Sequence, residues 1–364
     1  MNARAMLQAE AAKRVLVFDG AFGTQIQDRK LTEEDYAGSL GLAADQKGNN
    51  DILALTRPDV IEDITRAYLD AGSDIVSTNT FSANRISQAD YAAEGKVRDI
   101  NLASARIARA LADTYAGYDD RPRFVAGAIG PTNKTLSLSP DVEDPGYREI
   151  DFDALADVYH EQAAALVEGG ADFILIETIF DTLNAKAGIF AIKRLERELG
   201  QDVPIMLSMT LTDLSGRNLS GHTVEAFWNA VRHAKPVTVG LNCSFGAEQL
   251  RPHVQLLSRL ADTLILAYPN AGLPNELGEY DEAPETTAAL VRQWAENEQA
   301  NILGGCCGST PDHMPKSPAQ CATLRRAGSP RRRPPCGWRG SNPSPLLHER
   351  QFHRSGRGSR GVAR

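Results

Sequence analysis

Five cysteines in 364 residues, none spaced as C-x-x-C, give neither a disulfide framework nor the usual four-thiolate structural zinc site. No apolar run reaches the ~20 residues that span a bilayer. The opening stretch, Met1 to Arg14, has Glu10 and basic residues among alanines and no apolar core of signal-peptide length. Basic residues are also scarce over most of the chain. Twelve Lys/Arg and a single acid, Glu349, fall between Met314 and Arg364, so residues 1–313 carry a net charge of −19 out of an overall −8. An acidic body argues against nonspecific nucleic-acid binding. These absences point to a cytoplasmic enzyme with no membrane partner and no nucleic-acid partner.

What is present is an alternation. Eight short apolar runs recur, at Val15–Phe18, Ile75–Thr78, Phe124–Ala128, Phe173–Ile176, Ile205–Met209, Val237–Leu241, Leu264–Tyr268 and Ile302–Gly304. Each is followed by a polar or Gly-containing stretch and then an amphipathic helical pattern, the grammar of a parallel sheet covered by helices. Eight such units close an α/β (β/α)8 TIM barrel. A doubly wound open sheet competes, but no run is followed by G-x-G-x-x-G; Asp19-Gly20-Ala21-Phe22-Gly23-Thr24 has only two of the glycines. Two units echo each other, Ala71-Gly72-Ser73-Asp74 before the second run and Gly169-Gly170-Ala171-Asp172 before the fourth. After His313 the pattern stops. Thr310 and Pro311 look like the start of a last helix that Pro315 and Pro318 would break. The division expected is a barrel over 1–313 and an Arg/Pro-rich basic C-terminal tail over 314–364, disordered or read out of frame, with Cys321 and Cys336 outside any site.

Groups at the carboxyl ends of barrel strands face the active site. Cys243 follows the sixth run and Cys306-Cys307 the eighth, so three thiols can converge on one mouth. Three thiolates without a fourth protein ligand suit a catalytic zinc with an open position; the competing reading is three buried small side chains. An all-sulfur shell favours a fourth, substrate thiolate and alkyl transfer to it over hydrolysis. Asp19, Asn79, Glu177 and Asn242 share that face. Asp19 and Glu177 could hold a substrate ammonium, with backbone N–H groups of the Gly20 to Thr24 turn taking its carboxylate, although a lone acid at a strand end is often only a loop cap. His222 and His313 read as solvated or capping residues, and Asp74 and Asp172 as helix-to-strand loop residues. The substrate so implied is an amino-acid thiol.

The segments Asp19–Thr24, Lys47-Gly48-Asn49-Asn50-Asp51, Glu177-Thr178-Ile179-Phe180-Asp181-Thr182-Leu183-Asn184-Ala185-Lys186, Gly240-Leu241-Asn242-Cys243, Pro269-Asn270-Ala271-Gly272-Leu273-Pro274, Gly278-Glu279-Tyr280-Asp281 and Gly304-Gly305-Cys306-Cys307-Gly308 together resemble the homocysteine-binding barrel of cobalamin-dependent methionine synthases, within the homocysteine S-methyltransferase family. The likeness runs from about Arg14 to His313. It implies zinc on Cys243, Cys306 and Cys307, L-homocysteine as substrate, and Asp19 and Glu177 on its amino group. Methylcobalamin would be the methyl donor and L-methionine the product, with cobalamin-binding and folate-binding modules as partners that this chain does not itself contain. Ala21-Phe22 departs from a frequent Gly-Met. A stand-alone methyltransferase using betaine or S-methylmethionine is the alternative within the family. A noncatalytic zinc-binding or redox-sensing barrel is the alternative of another class.

Overall fold

Each of the eight apolar runs pairs in parallel with its neighbours in a computed structural model that describes residues 2–314. The strands are β1 (Leu16–Val17), β2 (Ile75–Ser77), β3 (Phe124–Ile129), β4 (Phe173–Ile179), β5 (Ile205–Met209), β6 (Thr238–Gly246), β7 (Leu264–Asn270) and β8 (Ile302–Leu303). They lie in the order β1-β8-β7-β6-β5-β4-β3-β2. The two ends of that sheet meet at a parallel bridge between Phe18 and Ile75, where the Asp19 N–H donates to the Ile75 carbonyl at 3.1 Å. The result is a nearly closed (β/α)8 barrel, and the open-sheet alternative falls. Of the tail expected over 314–364, Met314 alone is described, buried beside Ile26 and Tyr68; the rest, with Pro315, Pro318, Cys321 and Cys336, lies outside the described residues.

The helices cover the sheet for the reason the sequence gives. Helix Pro58–Asp70 starts with proline at its first position and buries Val60, Ile61, Ile64, Tyr68 and Leu69. Helix Phe152–Glu168 is capped by Asp151, whose carboxylate accepts from the Ala154 N–H at 2.8 Å. The sequence echo between these units is a shared end geometry. Gly72 and Gly170 are both left-handed, at φ 106° and 104°, and the following N–H groups of Ser73 and Ala171 reach back to the carbonyls of Tyr68 and Leu166. Asp74 and Asp172 then accept from the N–H groups of Val17 and Val125 on the preceding strands, and each is held by an arginine, Arg14 and Arg109. These acids join the amino ends of adjacent strands, as loop residues.

Two apolar layers result. Phe18, Ile75, Phe124, Phe173, Leu175, Met206, Leu266, Tyr268 and Ile302 fill the barrel, and the N-terminal helix Ala3–Ala11 packs Leu7 and Ala11 into the same cluster. A second cluster lies between the sheet and its helices. After β8 the described chain continues as a loop and a short 3-10 turn, Pro311–His313, in which Thr310 and His313 cap each other.

Four strands, β3, β4, β6 and β7, run further than their apolar runs indicate, and two of them do so through a break in pairing. β4 continues to Ile179 and β6 to Gly246, each with a slip in register, between Ile176 and Ile179 and between Asn242 and Gly246. Glu177, Asn242 and Cys243 therefore lie within strand ends, where the sequence places them just after. The slips contain the left-handed residues Thr178, Cys243 and Ser244, at φ 53°, 62° and 61°. A β-branched or cysteine residue in that region is strained and persists only where surrounding bonds hold it.

Candidate metal and substrate site

The carboxyl ends of the strands surround a cavity of about 1230 Å³ whose wall includes Cys243, Cys306, Cys307, Glu177 and Tyr268. Cys243 projects from the left-handed slip in β6. The next residue fixes that slip: the Ser244 hydroxyl pairs with Thr210 Oγ1 at 2.8 Å and donates to the Leu211 carbonyl. The loop carrying the other two cysteines is tied on three sides. Gly305 N–H donates to the Asp19 carbonyl, Cys306 N–H to the Pro269 carbonyl at 2.8 Å, and Ala271 N–H to the Cys307 carbonyl at 2.9 Å. Two glycines make this loop possible. A Cβ on Gly305 would sit 2.4 Å from Ser309 Oγ, and one on left-handed Gly308 would sit 2.2 Å from Tyr280 Cβ.

The three sulfurs lie within 4.8 Å of one another, with Cys243 and Cys307 at 3.8 Å. Tetrahedral coordination at Zn–S of about 2.3 Å puts neighbouring sulfurs roughly 3.8 Å apart, so the donor set and its spacing fit a metal ion. Hydrogen bonds from Cys243 and Cys306 pull the Cys307 thiol down to about 3, while bonding to Cys243 and Cys307 pushes Cys306 well up. Three sulfurs this close cannot all be charged without a cation. Beside Cys307, Tyr280 adds a hydrogen bond, and the buried Asn270 at the end of β7 leaves its Oδ1 without a partner.

Glu177 faces the cavity from β4, and the Tyr268 hydroxyl donates to its Oε2 at 3.0 Å. Burial raises Glu177 to about 7, Tyr268 pulls the other way, and Cys243 adds to the rise. Asp19 is fully buried. Its carboxylate accepts from the Ser77 N–H at 2.7 Å and the Ser77 hydroxyl at 3.0 Å, and burial pushes it to about 8 against those bonds, with Glu177 contributing. The cavity wall there is formed by Phe18, Gly20 and Ser77, with Asp19 behind them. Gly20 to Thr24 line the cavity and lead into helix Phe22–Asp28, which has no side-chain cap. Asn79 lines the cavity too, but its Nδ2 is engaged by the Asn50 carbonyl at 2.7 Å. Asn242 is fully buried, bonded to Thr178, Ser208 and Cys306.

Charge around the mouth has one sign. Asp28, Asp51, Asp90, Glu177 and Glu279 line it, and among the described residues no Lys, Arg or His does. His222 sits apart, on Ser220, and His313 is a cap, as the sequence indicates. Sequence reasoning missed Tyr268, Tyr280, Ser77 and Asp51 as parts of the site. Tyr280 and Asp51 stand in quoted motifs, but nothing in their spacing marks them; Tyr268 reads as core.

The sequence profile of the homocysteine S-methyltransferase family matches residues 16–317. Crystal structures of the homocysteine methyltransferase MmuM from Escherichia coli share the fold. The metallated form is 22% identical with a TM-score of 0.66 over 88% of this chain and 99% of that one. The oxidized form is 20% identical with a TM-score of 0.66, over 88% and 98%. The chain belongs to the homocysteine S-methyltransferase family, whose reaction is methyl transfer to homocysteine.

Proposed function

We propose that residues 1–313 form the homocysteine-activating barrel of a cobalamin-dependent methionine synthase, which holds zinc on Cys243, Cys306 and Cys307 and transfers a methyl group to L-homocysteine to give L-methionine. The observation that carries this is the convergence of three thiols from two strand ends on one acidic cavity. Zinc bound there supplies a Lewis acid that keeps the substrate sulfur as a nucleophilic thiolate near neutral pH.

The chain's own groups do the rest. Glu177 receives the substrate ammonium at the cavity wall, Asp19 holds Ser77 of that wall from behind, and the N–H groups of Phe22 to Thr24, at the start of the uncapped helix, take the carboxylate. Asn79 acts indirectly, holding the Asn50 loop over the mouth. Tyr268 favours the ionised form of Glu177 that an ammonium needs. An acidic mouth repels a polyanionic folate, so the methyl group reaches the sulfur on another carrier. A cavity of about 1230 Å³ leaves room beside homocysteine for the approach of a bulky one such as methylcobalamin presented by a separate module. Among the described residues no helix is long and apolar enough to cross a membrane, and a cytoplasmic setting keeps such thiols reduced.

Zinc content, together with methionine formation from homocysteine and each of methylcobalamin, S-methylmethionine and betaine, tests the reading. Turnover with methylcobalamin supports it. Turnover only with an onium donor assigns the stand-alone activity instead, and a zinc-loaded, folded chain that methylates homocysteine from none of them defeats it.

A further inference from the structure

The two halves of the site, a carboxylate on β4 and a thiol after β8, meet at one buried amide. Asn242 Oδ1 accepts from the Thr178 N–H at 3.1 Å and from the Ser208 hydroxyl at 2.6 Å. Its Nδ2 donates to Thr178 Oγ1 at 2.9 Å and approaches Cys306 Sγ at 4.0 Å. The amide can point only one way, because a backbone N–H can only donate and so requires Oδ1 opposite Thr178. Thr178 is the left-handed residue of the β4 slip and directly follows Glu177; Asn242 directly precedes left-handed Cys243. The side chain is fully buried and does not line the cavity, so it has no route to the substrate.

We infer that Asn242 is a positioning residue that fixes the substrate-binding Glu177 and the metal ligand Cys306 in one register, and that its N–H···S contact tempers the electron donation of the Cys306 sulfur. This rests on the three-thiolate site proposed above. Asn242 satisfies the Thr178 N–H that the slip removes from the β4 ladder, which holds the strained turn and so the direction of Glu177. A donor on a metal-bound thiolate withdraws charge from it, so the same residue sets how electron-rich the sulfur shell is.

The test uses the cobalt(II)-substituted full chain, whose thiolate-to-cobalt absorption band reports the charge on sulfur, with zinc affinity by chelator competition and homocysteine affinity by calorimetry. Asn242→Asp keeps acceptors for Thr178 and Ser208 but loses both donors. The expected result is a band shifted to lower energy, zinc bound about 10-fold to 100-fold more weakly, and weaker homocysteine binding. Glu177→Gln is expected to weaken homocysteine while leaving the band in place, which separates the two effects. Should Asn242→Asp fail to fold, Asn242→Ser, shorter and uncharged, is read in its place with the same expected signs. A wild-type band unchanged in the variant that folds, with zinc affinity within two-fold, overturns the positioning role alone. Absence of any such band in the wild type sinks the metal site and this role together.

Discussion

The Tyr268 hydroxyl, on β7, donates to Glu177 Oε2, on β4, at 3.0 Å, joining two nonadjacent strands of the barrel. Tyr268 is itself wedged against Phe18, with ring centroids 5.1 Å apart, so the donor is held in place by the core. Removing it in Tyr268→Phe leaves the packing and takes away the bond that opposes the burial-driven rise of Glu177 from 4.5 to about 7. Less of the carboxylate is then ionised at neutral pH. A hydrogen bond to a charged group is worth about 1.5–3 kcal/mol, so homocysteine Kd should rise by roughly 10-fold to 100-fold at pH 7. The acid limb of a Kd-against-pH curve should move to higher pH, and an unmoved limb would show that Glu177 is not the titrating group.

The raised carboxyls also make the ligand-free fold sensitive to base. In the folded state Glu177 takes up its proton near 7 rather than at 4.5. The folded state thus binds more protons between those values, and the stability this confers is full below about pH 4.5 and lost as pH rises through about 7. Asp19 extends the same trend towards about pH 8. Glu177→Gln removes the first contribution, so the variant should gain on the wild type by roughly 2–3 kcal/mol between pH 4.5 and pH 7.5. Urea unfolding of the metal-free proteins at the two pH values measures it. A constant difference would contradict the assignment.

At the other end of the barrel the same logic gives stability without function. Arg14 grips Asp74 with bonds of 2.6 and 2.8 Å, Asp74 is 1% exposed, and it also accepts from the Val17 N–H of β1. Asp74→Ala leaves a mostly buried guanidinium with Glu10 as a more distant carboxylate, at 3.9 Å. The expected cost is about 3 kcal/mol of unfolding free energy. kcat and KM measured on the folded fraction should stay within about two-fold of wild type, since the amino ends of barrel strands serve stability.

How far the sequence reaches follows from what each residue needs. The eight runs, the caps at Gly72 and Gly170 and the placement of Cys243, Cys306 and Cys307 are readable because strand, turn and ligand demand particular residue types at particular spacings. Glu177 could be flagged because a carboxylate amid Ile174, Leu175 and Ile176 needs a partner. That partner, Tyr268, lies 91 positions away and looks like any aromatic of a buried strand. The slips at Thr178 and Cys243 are invisible for another reason: neither carries the glycine that left-handed backbone usually selects, because tertiary bonds from Asn242 and Ser244 impose it. Asn79 follows β2 and Asn242 lies near the end of β6, but which way their amides face depends on neighbours that only the fold brings in.

Loss of one thiol distinguishes a metal that activates the substrate from one that merely sits in the barrel. Cys306 packs partly against the inner core cluster, so Cys306→Ala costs little volume and should keep the far-UV circular dichroism of the wild type. It leaves Cys243 and Cys307, whose sulfurs are 3.8 Å apart, as the only cysteine donors of the cluster. Two thiolates hold zinc far less well than three, and metal content after dialysis should fall from about one equivalent to near zero. If the substrate sulfur completes the metal's shell, homocysteine Kd should rise in parallel and methionine formation should drop by at least about 1000-fold. Zinc loss with unchanged homocysteine binding would instead mark the metal as noncatalytic, because the ammonium and carboxylate contacts alone would then account for recognition.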